Sequence, residues 1–227
     1  MISIENLTVS YDKKVRVLNN LNLILKDSQI HGIVGLNGAG KTTLLNTLYG
    51  LIKPDSGNIF LDGHSITKKQ IGYLETENFF YSNITGEEYL KIFRNSNFNI
   101  EGWNDLFRLP LKELIETYSN GMKKKLALLA ILKQDKPVMI LDEPFNGLDI
   151  ETTRIVRSIL LSIKEHKIII ITSHIMETLT NLCDEISYLE QGVINSTKTK
   201  GEFDAFGKEL YARIEEKNKE ALERLLL

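Results

Sequence analysis

Gly35-Leu36-Asn37-Gly38-Ala39-Gly40-Lys41-Thr42-Thr43 lies between an apolar run, Ile30-His31-Gly32-Ile33-Val34, and a helical pattern, Thr43-Leu44-Leu45-Asn46-Thr47-Leu48-Tyr49. A Gly-x-x-x-x-Gly-Lys-Thr spacing with strand before it and helix after it reads as a phosphate-binding loop (P-loop). Glycines let the backbone turn left-handed and crowd several N–H groups around one point, and the following helix aims its positive N-terminal end at the same point. Lys41 is placed to reach the β- and γ-phosphates of a nucleotide. The Thr42 hydroxyl is placed to complete the shell of a bridging Mg²⁺. Gly50 closes the helix as its C-cap.

Upstream, Ile2, Ile4, Leu7 and Val9 alternate in two blocks, which predicts a strand ending at Tyr11 with an irregularity near Asn6. After a charged turn, Asp12-Lys13-Lys14, residues Leu21, Leu23 and Leu25 mark one face of a half-buried strand. Downstream, Lys53-Pro54-Asp55-Ser56-Gly57 is turn chemistry, 58–63 a short strand ended by an Asp-Gly turn in a hairpin-like excursion, and Ile71-Gly72-Tyr73-Leu74 a buried strand. From 85 to 132 helical periods dominate, with Thr85 and Glu88 spaced as a capping box. The last third alternates strands (138–141, 168–172, 185–190) with helices (150–164, 175–182). Continuous apolar strands flanked by helices require a sheet covered on both faces, hence a parallel one. Residues 208–227 read as a strand and a short amphipathic helix. The expected fold class is therefore α/β: a P-loop NTPase core with a parallel sheet, an N-terminal antiparallel β subdomain and an inserted helical subdomain. Its expected division is 1–75 and 135–200 for core and β subdomain, 76–134 for the helical part, and 201–227 for a C-terminal extension.

Further chemistry sits at strand ends. Val138-Met139-Ile140-Leu141-Asp142-Glu143-Pro144 delivers two carboxylates to the edge where open α/β sheets bind ligands. There Asp142 would hold Mg²⁺ opposite Thr42, and Glu143 would orient the water that attacks the γ-phosphate. Ile170-Ile171-Thr172-Ser173-His174 brings His174 to the same edge, where it can donate to the γ-phosphate or serve structure alone. Ser119 is placed to N-cap a helix with Met122, Leu126, Leu129 and Ala130 at helical spacing. Lys123, Lys124 and Lys125 in its first turns oppose the helix dipole; an anion docked there or an ordinary solvated basic face fits equally well. Asp149, after Asn146-Gly147-Leu148, is placed to cap the next helix.

At 227 residues the chain can bury a full core, and its formal charge of −2, with both signs interspersed, points to neither a nucleic-acid stripe nor an anionic surface as partner. The single cysteine, Cys183, has no intramolecular disulfide partner, and no apolar h-region opens the chain, so a reducing cytosol is expected. The longest apolar runs fall well short of the ~18 residues of a membrane span.

Taken together, the phosphate loop, Asp142-Glu143, Gly147-Leu148-Asp149, His174 and the helix start at Ser119 resemble, in order, the nucleotide-binding domain of ATP-binding-cassette (ABC) transporters. The resemblance runs from the strand ending in Tyr11 to about Gly192. It implies that Gly35, Asn37, Gly38, Ala39, Gly40, Lys41, Thr42 and Thr43 form the Walker A site for ATP and that Tyr11 stacks on adenine. It further implies that Asp142 closes the Walker B strand, that Glu143, His174 and Lys41 are catalytic, and that Asp149 belongs to the D-loop. Ser119 and Gly121 would be the signature that binds the γ-phosphate held by the opposite subunit. Two departures stand out: Tyr118-Ser119-Asn120-Gly121-Met122 replaces Leu-Ser-Gly-Gly-Gln, and Glu75-Thr76-Glu77 lacks the Q-loop glutamine, with Thr76 in its place. The implied protein is an ATPase subunit. It dimerises with a second copy or a homologous subunit, sits peripherally at the cytoplasmic face of the membrane on a separate permease, and powers export. Phe79-Phe80-Tyr81 is a candidate docking surface for that permease. A nucleic-acid or ribosome-associated ATPase and a non-hydrolysing dimerisation module are the alternative readings.

Overall fold

A computed structural model describes residues 1–12 and 15–226; Lys13 and Lys14 of the expected charged turn, and Leu227, lie outside the described residues. The chain opens with β1 (Ile2–Tyr11) and β2 (Val15–Leu25), then β3 (Gln29–Val34) and α1 (Lys41–Tyr49). A hairpin of β4 (Ser56–Leu61) and β5 (His64–Ser65) precedes β6 (Ile71–Leu74). Three helices follow, α2 (Gly86–Lys91), α3 (Ile100–Phe107) and α4 (Asn120–Gln134). The last third runs β7 (Val138–Asp142), α5 (Ile150–Ile163), β8 (Ile168–Ser173), α6 (Glu177–Thr180), β9 (Glu185–Glu190), β10 (Val193–Thr199) and α7 (Phe203–Leu226).

Two sheets result. An antiparallel one runs β2-β1-β4-β5, and β1 has its expected irregularity, a register shift between Ile4 and Leu7 with Asn6 at φ 50°. The other runs β10-β9-β3-β8-β7-β6 and is parallel from β9 to β6. Successive side chains of a strand point to opposite faces, so a strand buried on both must be apolar throughout. On β8, Ile168 and Ile170 join the core shared with α1 and the antiparallel sheet, while Ile169 and Ile171 join the core under α4 and α5. Each such burial is worth about 1.5–3 kcal/mol.

Several elements differ from expectation. The helix expected at 175–182 is only the single turn of α6, because Thr178 spends its hydroxyl on Ser173 Oγ and the Ile175 carbonyl, a local bonding pattern that competes with helix extension. Expected as a strand and then a helix, 208–226 is all helix. Its stripe begins earlier, at Phe203, Phe206 and Leu210, a spacing that only a helix keeps on one buried face. Between 85 and 132 the helices are shorter than the pattern implies, although the Thr85–Glu88 capping box forms. Strand β10, not anticipated, pairs antiparallel with β9, and the Gly192 turn between them bonds to Ala39 and Asn19, bracing the glycine loop from behind.

His31, buried on β3, donates through Nε2 to the Lys26 carbonyl at 2.8 Å. Burial lowers its pKa below the ordinary histidine value, against the upward pull of that bond and of Glu185. Because the folded pKa lies below the unfolded one, the unfolded chain takes up the proton first as pH falls. The stability contribution is complete above about pH 6.5 and is lost below it. Between pH 7.5 and 5.5 the wild-type melting temperature should fall more steeply than that of His31→Gln; parallel slopes in a thermal-melt series would exclude the histidine as the cause.

Candidate functional site

The loop from Gly35 to Gly40 carries β3 into α1. Gly40 has φ 107°, and a Cβ there would meet Leu18 at 2.9 Å; at Gly35 a Cβ would meet the Leu189 carbonyl at 2.4 Å. Both positions therefore require glycine. Gly50 caps α1 as expected, its N–H bonding Asn46 and Thr47 carbonyls. Lys41 is folded back over the loop, donating to the Gly35 carbonyl at 2.7 Å. Burial lowers its pKa, while the nearby Glu143 and Asp142 oppose that shift.

One cavity of about 600 Å³ gathers the chemistry: Tyr11, Val17, Asn37, Gly38, Gly40, Lys41, Thr42, Thr43, Thr76, Asp142, Glu143, Asn146 and His174 line it. Its size is that of a small-molecule site. Gly35 and Ala39 are not among the lining residues; Ala39 is buried and its N–H is bonded to Leu36. Tyr11 leaves its ring half-exposed at the rim, with its hydroxyl 3.3 Å from Thr43 Oγ1. Asp142, almost fully buried, accepts hydrogen bonds from Thr42 at 2.9 Å, Thr76 at 2.9 Å and Thr172 at 2.5 Å. Three hydroxyl donors offset the desolvation of that carboxylate. Glu143 Oε1 accepts from His174 Nδ1 at 3.0 Å, and its other oxygen lies 3.5 Å from Asn146 Nδ2.

Ser119, Gly121 and Asp149 lie outside this cavity. Ser119 is exposed and N-caps α4, accepting from Met122 N at 3.2 Å; Asp149 N-caps α5, accepting from Thr152 N at 2.7 Å. The two helix starts touch, since a Cβ on Gly121 would stand 3.3 Å from the Gly147 carbonyl and Lys125 Nζ is 3.8 Å from Asp149. Sequence reasoning missed Val17, Asn146 and Thr172, and named Thr76 without assigning it a role. It also took the lysines of α4 together, whereas Lys124 is buried.

A hard oxygen pair, Thr42 hydroxyl and Asp142 carboxylate, beside a phosphate loop suits Mg²⁺, which takes few protein ligands and completes its shell with phosphate and water. Among the described residues no group of three His, Cys, Asp or Glu side chains is arranged to hold a metal by itself. A glycine loop feeding a helix, a buried strand-end aspartate on its threonine and a glutamate beside them define a P-loop nucleoside triphosphatase. The sequence model of the ABC transporter family matches residues 18–146. The lantibiotic transport ATP-binding protein SrtF of Streptococcus pyogenes is 32% identical over 208 residues, covering 86% of this chain and 89% of that protein. The bacitracin transport ATP-binding protein BcrA of Enterococcus faecalis is 33% identical over 208 residues, 85% and 67% of the two chains. The structure of an ATP-binding subunit of an ABC transporter superposes with a TM-score of 0.85 at 24% identity, over 94% of this chain and 98% of that one. A dimeric ABC transporter cassette, MJ0796, gives 0.77 at 20% identity, over 88% and 99%. The chain belongs to the ABC transporter family, as an ATP-binding, ATP-hydrolysing subunit.

Proposed function

We propose that two copies of this chain, or this chain and a homologous subunit, close around two Mg·ATP and drive export through a separate permease. The observation that carries this reading is the convergence of Lys41, Thr42, Asp142, Glu143 and His174 on one cavity. Lys41 exchanges its loop carbonyls for the β- and γ-phosphates. Thr42 and Asp142 would hold Mg²⁺, which would offset the negative charge of the phosphates. Glu143 orients and polarises the attacking water as general base, and His174, its one ring N–H given to that carboxylate, keeps it aimed. The rest of the Walker A loop, Gly35 and Ala39 included, contributes backbone, and Tyr11 offers its ring to adenine.

Support for export comes from relatives named for lantibiotic and bacitracin transport. Attachment to the cytoplasmic membrane face would run through the permease, because among the described residues no helix is long and apolar enough to cross a membrane. Phe79 and Tyr81, 77% and 58% exposed and in edge-to-face contact, are the proposed permease-facing surface, while Phe80 packs inward on Tyr89. A nucleic-acid partner is disfavoured by the net charge of −2.

Lys41→Ala tests the phosphate assignment. Removing a charge-assisted donor worth about 1.5–3 kcal/mol should weaken Mg·ATP binding roughly tenfold to a hundredfold. Isothermal titration reads it, and an unchanged dissociation constant would mean that the loop does not hold a triphosphate.

A further inference from the structure

Lys124 is 7% exposed, and its ammonium donates not to a carboxylate but to the main-chain carbonyl of Glu143, at 2.9 Å. Glu143 sits at φ 49°, in the left-handed region that non-glycine residues adopt only when their surroundings hold them there. The holders are visible. Thr172 Oγ1 accepts from the Glu143 N–H at 3.1 Å, and the carbonyl takes Lys124 as well as the Asn146 N–H at 3.3 Å. Fixing that dihedral decides where the carboxylate points, here between His174 and Asn146.

We infer that Lys124 is a positioning residue for Glu143, a strut by which α4, the helix that presents Ser119 at its start, sets the aim of the carboxylate in its own chain's site. This rests on the reading of Glu143 as the general base. Movement of α4 when Ser119 meets the opposite subunit's phosphate would then be transmitted to Glu143 through one side chain. The burial cost of a lysine here is met by the carbonyl and by the negative charge of Asp142 and Glu143 nearby.

Lys124→Met keeps the side-chain length and removes the donor; Lys124→Arg keeps donors and charge. In phosphate-release assays on the full chain, Lys124→Met should lower kcat roughly fivefold or more with the ATP KM within about twofold, because an interaction acting only on the chemical step leaves binding intact. Lys124→Arg should keep at least about half of wild-type turnover, and Lys124→Met combined with Glu143→Gln should be no slower than Glu143→Gln alone, since the strut acts through that carboxylate. The inference is overturned by wild-type turnover in Lys124→Met, by a KM effect without a kcat effect, by equal losses in the Met and Arg variants, or by multiplicative losses in the double variant. If Lys124→Met melts early, Lys124→Leu, likewise without a donor, takes its place, and wild-type turnover per folded molecule in it overturns the strut. Should Glu143→Gln alone keep wild-type turnover, the general-base reading fails first, an outcome separate from a silent Lys124.

Discussion

Glu143→Gln should bind Mg·ATP nearly as wild type does yet turn it over roughly a hundredfold more slowly, the usual scale of a lost general base. The amide keeps the shape and its carbonyl can still accept from His174, but it lacks the charge that polarises water. On the proposed reading, ground-state contacts to the phosphates would come from Lys41 and the loop, so affinity should hardly move. A nucleotide that is bound but not consumed stabilises whatever state it bridges, and the variant should therefore shift toward dimer in ATP by size-exclusion chromatography. Equal single-turnover rates for wild type and Glu143→Gln would remove Glu143 from the chemistry, whatever the dimer does.

What could be read in the residues was whatever is encoded locally. The glycine spacing from Gly35 to Lys41, the apolar run into Asp142 and the Ser119 and Asp149 caps each depend on neighbours a few positions away, and each stands in the structure as an element boundary. The grip on Asp142 is of another kind. Thr172 reaches it because β8 pairs with β7 in the register Asp142↔Thr172, and Thr76 reaches it because it follows β6 on the other side of β7. Strand order is a tertiary outcome that no local pattern prints, and threonine is too common to stand out. Lys124 was hidden differently: within a run of three lysines it looks solvated, but helical spacing sets it on the face of Ala127, Leu128 and Ile131, all buried. The C-terminal helix is hard to see in residues 208–227 alone because its inward stripe starts at Phe203, ahead of them.

Ser119→Arg should abolish turnover and ATP-driven dimerisation while leaving ATP binding to the monomer nearly intact. In the chain's own structure Ser119 is exposed, outside the cavity and, among the described residues, engaged only in capping α4, which does not explain a catalytic effect. Beside it Gly121 abuts Gly147, and Ile150, at the start of α5, is 77% exposed, an apolar side chain that a second subunit would cover. If Ser119 were only a cap, its loss would cost about 0.5–2 kcal/mol and lower the melting temperature by a few degrees, with turnover per folded molecule unchanged. If instead it contacts the γ-phosphate across an interface, the bulk and charge of arginine block closure while the intact loop still holds nucleotide. Mixing separates the two further. Ser119→Arg and Lys41→Ala proteins, each dead alone, should regain turnover together, because one composite site of the mixed dimer joins an intact Lys41 to an intact Ser119. A mixture that stays inactive although mixed dimers form would leave strict coupling of the two sites or a wrong trans assignment. A cysteine cross-link from position 119 to the other chain's glycine loop decides between them, since it forms in ATP only where the two face each other.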